Sequence, residues 1–294
     1  MVRINIDSVE IPRGETIYYR WREGSSSSYP LVLVHGNMTS SKHWDLLMEN
    51  LTEKYQIYAI DLPGFGLSTY NKPINDIKDL SLVLRQFCDK LNLEKFYLVG
   101  WSTGGAVAMK LIADNPQYAD KLALLAPIST RGYPIYKSDQ EQQPLERVIT
   151  RDEVAQEFDS IVKAFQRKDR EVVRQIWNQL IYVNNQPSPE KYEEYLDDIL
   201  TQRNLIDVYN ALNKFNISEV SNGVDYGTGE ARDIKLPTKI LWGDLDQVVT
   251  REMIRETISD LGISATLVTN EHCGHNLMID DLPWVVKELE SFLQ

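Results

Sequence analysis

Four short, almost continuously apolar runs punctuate the first half of the chain, at residues 31–34, 56–60, 96–99 and 122–125. A strand with one solvated face alternates apolar and polar positions, whereas unbroken runs suit strands buried on both faces of a parallel sheet. Between the runs the spacing becomes helical. Ile77, Leu80, Leu84, Phe87 and Leu91 recur at intervals of three and four, predicting an amphipathic helix laid on that sheet. Residues 4–11 and 16–22 read as two strands joined by Pro12-Arg13-Gly14, an antiparallel pair at the sheet edge. The pattern resumes with a strand at 239–242, a helix at 251–261 and a strand at 265–268. A last helix then carries Leu282, Val285, Val286, Leu289, Phe292 and Leu293 on one face. This βαβα alternation predicts the α/β class, with a mostly parallel, doubly wound sheet of about eight strands.

The alternation stops after Pro127. From about 130 to 233 the chain is helical, charged and aromatic, with predicted helices at 151–167, 169–183, 189–201 and 205–215. The polar, proline-containing break Asn184-Asn185-Gln186-Pro187-Ser188-Pro189 separates the second from the third. The expected organisation is a core domain of residues 1–129 and 234–294, interrupted by a helical cap at 130–233. Of the cap aromatics Tyr133, Tyr136, Trp177, Tyr182 and Tyr209, most are expected in the cap's own core and one or two against substrate.

Composition narrows the function without naming it. The 294 residues are 43% hydrophobic and 25% charged, ordinary globular values that argue against long disorder. A net charge of −12 disfavours nucleic acid and anionic membrane surfaces as partners. No apolar stretch of about 18 residues would span a membrane. The alternating N-terminus, Val2-Arg3-Ile4-Asn5-Ile6-Asp7, has no apolar core of a secretory signal. Two cysteines, Cys88 and Cys273, cannot build a disulfide framework, so a reduced, cytoplasmic setting is the expectation.

The chemistry-bearing motif is Gly100-Trp101-Ser102-Thr103-Gly104, between an apolar run and the small-residue helix start Gly105-Ala106-Val107-Ala108. A serine flanked by glycines at this junction reads as a nucleophile elbow, a turn tight enough to lift Oγ clear of the sheet. A serine hydroxyl needs a general base, and the base needs an orienting carboxylate. Of four histidines (His35, His43, His272, His275), the last two follow the strand at 265–268; Asp244 and Asp246 follow the strand at 239–242. Gly64 and Gly66 lack the third glycine of a dinucleotide loop and are expected to shape the turn after Asp61. No phosphate loop occurs, and His272, Cys273 and His275 make a poor metal set, so no cofactor or metal is expected.

Five blocks in order carry a family resemblance: Val34-His35-Gly36-Asn37, Asp61-Leu62-Pro63-Gly64-Phe65-Gly66, Gly100-Trp101-Ser102-Thr103-Gly104, Trp242-Gly243-Asp244-Leu245-Asp246 and Gly274-His275. The chain resembles the α/β-hydrolase superfamily, in its lid-bearing branch of small esterases, carbon–carbon hydrolases, lactonases and serine haloperoxidases. The resemblance implies Ser102 as nucleophile, Asp246 rather than Asp244 as acid, and His275 rather than His272 as base. It implies an oxyanion hole from the backbone N–H groups of Thr103 and Asn37, with Met38 as the alternative to Asn37. Trp101 and Met38 become candidate substrate contacts. A serine at the elbow disfavours the aspartate-dependent dehalogenases and epoxide hydrolases, and Pro63 disfavours the proline aminopeptidases. The expected activity is hydrolysis of a small-molecule carboxylic ester or lactone; alternatives are a carbon–carbon bond hydrolase on the same triad and a non-catalytic small-ligand receptor.

Overall fold

The computed structural model describes residues 2–138 and 146–294. Strands β1 (Asn5–Glu10) and β2 (Thr16–Arg22) form the expected antiparallel edge hairpin, Glu10 facing Thr16 and Asn5 facing Trp21. Six more strands follow: β3 (Tyr29–Val34), β4 (Tyr55–Ile60), β5 (Tyr97–Trp101), β6 (Lys121–Leu125), β7 (Thr238–Gly243) and β8 (Ala265–Asn270). The eight-stranded sheet has the order β1-β2-β4-β3-β5-β6-β7-β8. β2 meets β4 antiparallel, and every later pair is parallel. Leu31 to Val34 and Leu122 to Leu125 are wholly buried, as unbroken apolar runs between two helical layers must be. β8 has no fully buried position, mixing partly buried and exposed residues, which fits an edge strand.

Helices α1 (Asp45–Asn50), α2 (Ile77–Lys90) and α3 (Thr103–Asp114) follow β3, β4 and β5. Asp76 caps α2 by accepting the Asp79 N–H at 3.0 Å, an interaction worth about 1 kcal/mol. The buried face of α2 is that of Ile77, Leu80, Leu84 and Phe87. Between β6 and β7 the chain forms α4 (Arg151–Glu157), α5 (Asp159–Arg167), α6 (Arg170–Leu180), α7 (Pro189–Ile199) and α8 (Leu205–Lys214). Then come α9 (Arg251–Leu261), α10 (Leu277–Asp280) and α11 (Leu282–Phe292), the last docking Val285 and Leu289 on the sheet.

Two helix expectations are corrected. The single helix expected at 151–167 is two, because Phe158 leaves helical geometry (φ −100°, ψ 12°). Its ring stacks on Tyr209 with centroids 3.7 Å apart and planes 9° from parallel. Such a pair gives about 1 kcal/mol beyond its burial, which supports a break that neither Gly nor Pro marks. The helix expected at 169–183 ends at Leu180, where the N–H groups of Ile181 and Tyr182 both turn back to the Trp177 carbonyl.

Candidate active site

The parallel strands β3, β5, β7 and β8 end on one side of the sheet, and each hands a loop to the same place. After β5 the chain turns into α3 through Ser102, whose φ of 54° lies in the left-handed region that a side chain disfavours. Strain of this kind costs about 1–3 kcal/mol and persists only where surroundings over-determine it. Here they do. The Ser102 N–H donates to the Leu125 carbonyl at 3.0 Å, and the Ser102 carbonyl accepts from Gly105 at 2.9 Å and Ile128 at 3.2 Å. A Cβ on Gly100 would lie 2.4 Å from the Gly104 carbonyl oxygen, and one on Gly104 would lie 2.1 Å from that of Val34. Both glycines are demanded by backbone approach.

The loop after β3 presses on this turn: a Cβ on Gly36 would meet the Ser102 Cβ at 3.2 Å. His35 organises the loop from below. Its Nε2 accepts the Leu62 N–H at 3.0 Å, so the proton sits on Nδ1, which donates to the Gly36 carbonyl at 2.7 Å. Burial pushes its pKa down to about 4, so His35 is a neutral brace between two loops. The next residues differ in their backbone duties. Met38 has φ 56°, and its N–H is engaged by the Gln202 side-chain oxygen at 2.9 Å.

The loops after β7 and β8 supply an acid and an imidazole. Asp246 Oδ2 lies 2.9 Å from His275 Nδ1, with side-chain exposures of 0% and 3%. Asp246 Oδ1 is also occupied, accepting the N–H groups of Val248 at 2.8 Å and Val249 at 2.9 Å. His275 is set from behind by Trp101, whose indole N–H donates to the His275 carbonyl at 3.1 Å. Asp280 takes the Gly274 N–H at 2.6 Å. By contrast Asp244 pairs with Arg251 at 3.0 Å, and the His272 side chain is 79% exposed. Among the described residues no group of three His, Cys, Asp or Glu side chains is arranged to hold a metal.

Ser102, Thr103, His275, Asn37, Met38 and Trp101 all line one cavity of about 150 Å³. The rest of its wall comes chiefly from the segment between β6 and β7. Tyr133, Phe158, Trp177 and Tyr209 contribute rings, and Ile161, Ile176, Leu180 and Leu212 contribute aliphatic surface. The lining contains no Asp, Glu, Lys or Arg side chain.

A family model for the alpha/beta hydrolase fold matches residues 29–282, most of the chain. The protein belongs to the α/β-hydrolase fold family. The monoacylglycerol lipase ABHD6 of Rattus norvegicus is 27% identical over 289 residues, spanning 94% of this chain and 77% of that protein. The Bos taurus counterpart is 24% identical with the same coverage. Among solved structures, an esterase (EaEST) from Exiguobacterium antarcticum superposes with a TM-score of 0.76 at 18% identity, covering 97% of this chain and 98% of its own. A putative lipase from Acinetobacter baumannii reaches 0.76 at 22% identity, covering 99% and 91%. Esterases and lipases are thus the company this α/β-hydrolase keeps, and no helix among its described residues is long and apolar enough to cross a membrane.

Within the α/β-hydrolase frame, the other sequence expectations meet mixed outcomes. Of the five flagged aromatics, Tyr133, Trp177 and Tyr209 line the cavity. Tyr136 is 43% exposed, so it is not core, whereas Tyr182 is buried. Trp101 lines the cavity and is otherwise buried, its indole N–H donating to the His275 carbonyl. Gly64 and Gly66 do shape the turn after Asp61; both have positive φ, and a Cβ on Gly66 would strike the Asp61 carboxylate. Sequence reasoning missed Phe158, the aliphatic wall of α5 and α6, and Gln202. Only the apolar positions left a trace, as helical periodicity that marks a buried face without saying what it faces.

Proposed function

We propose that this chain is a serine hydrolase that cleaves a small, uncharged carboxylic ester through an acyl-enzyme, with Ser102 as nucleophile, His275 as base and Asp246 as orienting acid. The observation that carries the reading is the fully buried 2.9 Å contact between Asp246 and His275, with His275 and Ser102 on the wall of one cavity. A carboxylate against Nδ1 keeps the proton on that nitrogen and leaves Nε2 free to accept one from Ser102 Oγ. Oγ adds to the ester carbonyl, and the proton held on Nε2 passes to the departing alkoxide. Water then repeats the cycle on the acyl-enzyme. The developing oxyanion is met by the N–H groups of Asn37 and Thr103, the second at the positive end of α3. A lactone is a cyclic ester and would use the same groups. Residues 130–233 are taken as a cap, of which 139–145 lie outside the described residues.

A fluorophosphonate probe tests the mechanism directly. The wild type should be labelled stoichiometrically and Ser102→Ala not at all; an unlabelled wild type, or equal labelling of the variant, would overturn the reading.

The cavity also predicts a substrate preference. An apolar space of about 150 Å³ admits a group the size of a benzene ring. In a p-nitrophenyl ester series kcat/KM should therefore be highest for butanoyl, hexanoyl or benzoyl groups and fall at least about tenfold by hexadecanoyl. A hemisuccinate ester should react at least about 100-fold more slowly than the butanoate, since no cation awaits its carboxylate. A maximum at hexadecanoyl, or parity for the hemisuccinate, would refute this assignment.

A further inference from the structure

The segment linking α7 to α8 reaches the base of the site through one side chain. Gln202 is buried, and both ends of its amide are engaged with the loop after β3. Its oxygen accepts the Met38 N–H at 2.9 Å, while its nitrogen donates to the Asn37 side-chain oxygen at 2.8 Å. The same nitrogen donates to Asn204 Oδ1 at 3.0 Å, and Asn204 in turn donates to the Pro63 carbonyl at 2.6 Å. Arg203, between them, gives its N–H to the Gly64 carbonyl at 2.9 Å. Three consecutive residues thus bind the link to the loops after both β3 and β4.

We infer that Gln202 is a positioning residue for the oxyanion hole, holding the Asn37–Met38 peptides in the orientation that aims the Asn37 N–H at the reacting carbonyl. This rests on the serine-hydrolase reading above. The physical argument is one of surplus constraint. Met38 sits at φ 56°, a conformation that an unbranched side chain does not choose unaided. Gln202 fixes the Asn37–Met38 peptide through the Met38 N–H and anchors the Asn37 side chain through its oxygen. The Gly36–Asn37 peptide, which carries the Asn37 N–H, is held at the Gly36 carbonyl by His35 Nδ1 at 2.7 Å and the Thr39 hydroxyl at 2.8 Å. With Gln202 in place Asn37 is thus pinned on both sides. A buried donor or acceptor left unpaired is costly, which biases the loop strongly to one state. It also makes Asn37, not Met38, the donor on this side, because the Met38 N–H is already spent. A consequence is that a displacement of the link between α7 and α8 bears directly on the Asn37–Met38 turn through this amide.

The test uses Gln202→Ala and Gln202→Glu. The second keeps the packing and the acceptor for Met38 while turning a carboxylate oxygen towards the oxygens of Asn37 and Asn204. Both should lower kcat per titrated active site by about 10–100-fold with KM changed less than threefold, somewhat below the loss of a whole oxyanion donor. Affinity for an alkyl boronic acid, whose tetrahedral adduct needs the hole, should weaken by the same factor. A merely structural residue would lower the titrated fraction or the melting temperature while leaving kcat per site and boronate affinity intact. That result in either folded variant overturns the inference. The two readings fail separately: a wild type with no esterase activity or labelling sinks the mechanism, whereas an active wild type with indifferent Gln202 variants sinks only the positioning role.

Discussion

Asp246→Asn should lower kcat on a p-nitrophenyl ester by about 10⁴, the loss expected when an imidazole is held in the wrong tautomer. The neighbourhood of this carboxylate leaves the new amide no choice of orientation. Oδ1 accepts two N–H groups, from Val248 and Val249, so the amide oxygen must take that place and the NH2 group must face His275. The NH2 then donates to Nδ1, the ring proton moves to Nε2, and the nitrogen turned to Ser102 can no longer accept one. Folding should be little affected, because both backbone donors keep their acceptor. Asp244→Asn is the control: its carboxylate pairs with the exposed Arg251 at 3.0 Å, and turnover should stay within about threefold of wild type. Retention of a tenth of the activity by Asp246→Asn, or collapse in Asp244→Asn, would show that the acid is misassigned.

His275→Ala should cost still more, about 10⁶ in kcat, the scale reached when a triad base is removed outright. The variant is a fair test of chemistry because the Trp101 bond from behind goes to the His275 backbone carbonyl and survives the truncation. His272→Ala, whose side chain is 79% exposed, should be indistinguishable from wild type in kcat and KM. Steady-state rates together with fluorophosphonate labelling rates decide the matter. If His272→Ala were the inactive protein, the histidine loop would have to rearrange before catalysis, and the arrangement described above would not be the reactive one.

Much of the frame was legible because burial writes itself into composition. Strands covered on both faces must be apolar throughout, so β3, β5 and β6 announced themselves, and α2 did so through its spacing. The elbow was legible for a sharper reason: Gly100 and Gly104 are places where any side chain would strike a backbone carbonyl. What was not legible depends on partners distant in the chain. The break at Phe158 coincides with a stacking partner 51 positions away, and nothing local in Glu157-Phe158-Asp159 marks it. Gln202 is an ordinary polar residue until its amide is seen between Asn37 and Met38. The cavity wall used residues of α5, α6 and α8 that periodicity could assign only to an inward face. The proposed acid and base stand between these extremes: Asp244 and His272 are chemically equal rivals in sequence, and the Asp246–His275 contact supports the choice that the family resemblance implies.

The way the site is stitched together also governs when it comes into being. The Trp101–His275 bond joins positions 174 apart in sequence, and the Gln202–Asn37 bond joins positions 165 apart. Contacts of such high sequence separation carry a large loop-closure cost, and topologies rich in them fold slowly. Native secondary structure can therefore precede a completed site during refolding. A fragment ending before β8 would lack the histidine loop and with it the indole's acceptor, so the elbow would lose its support along with the proposed base.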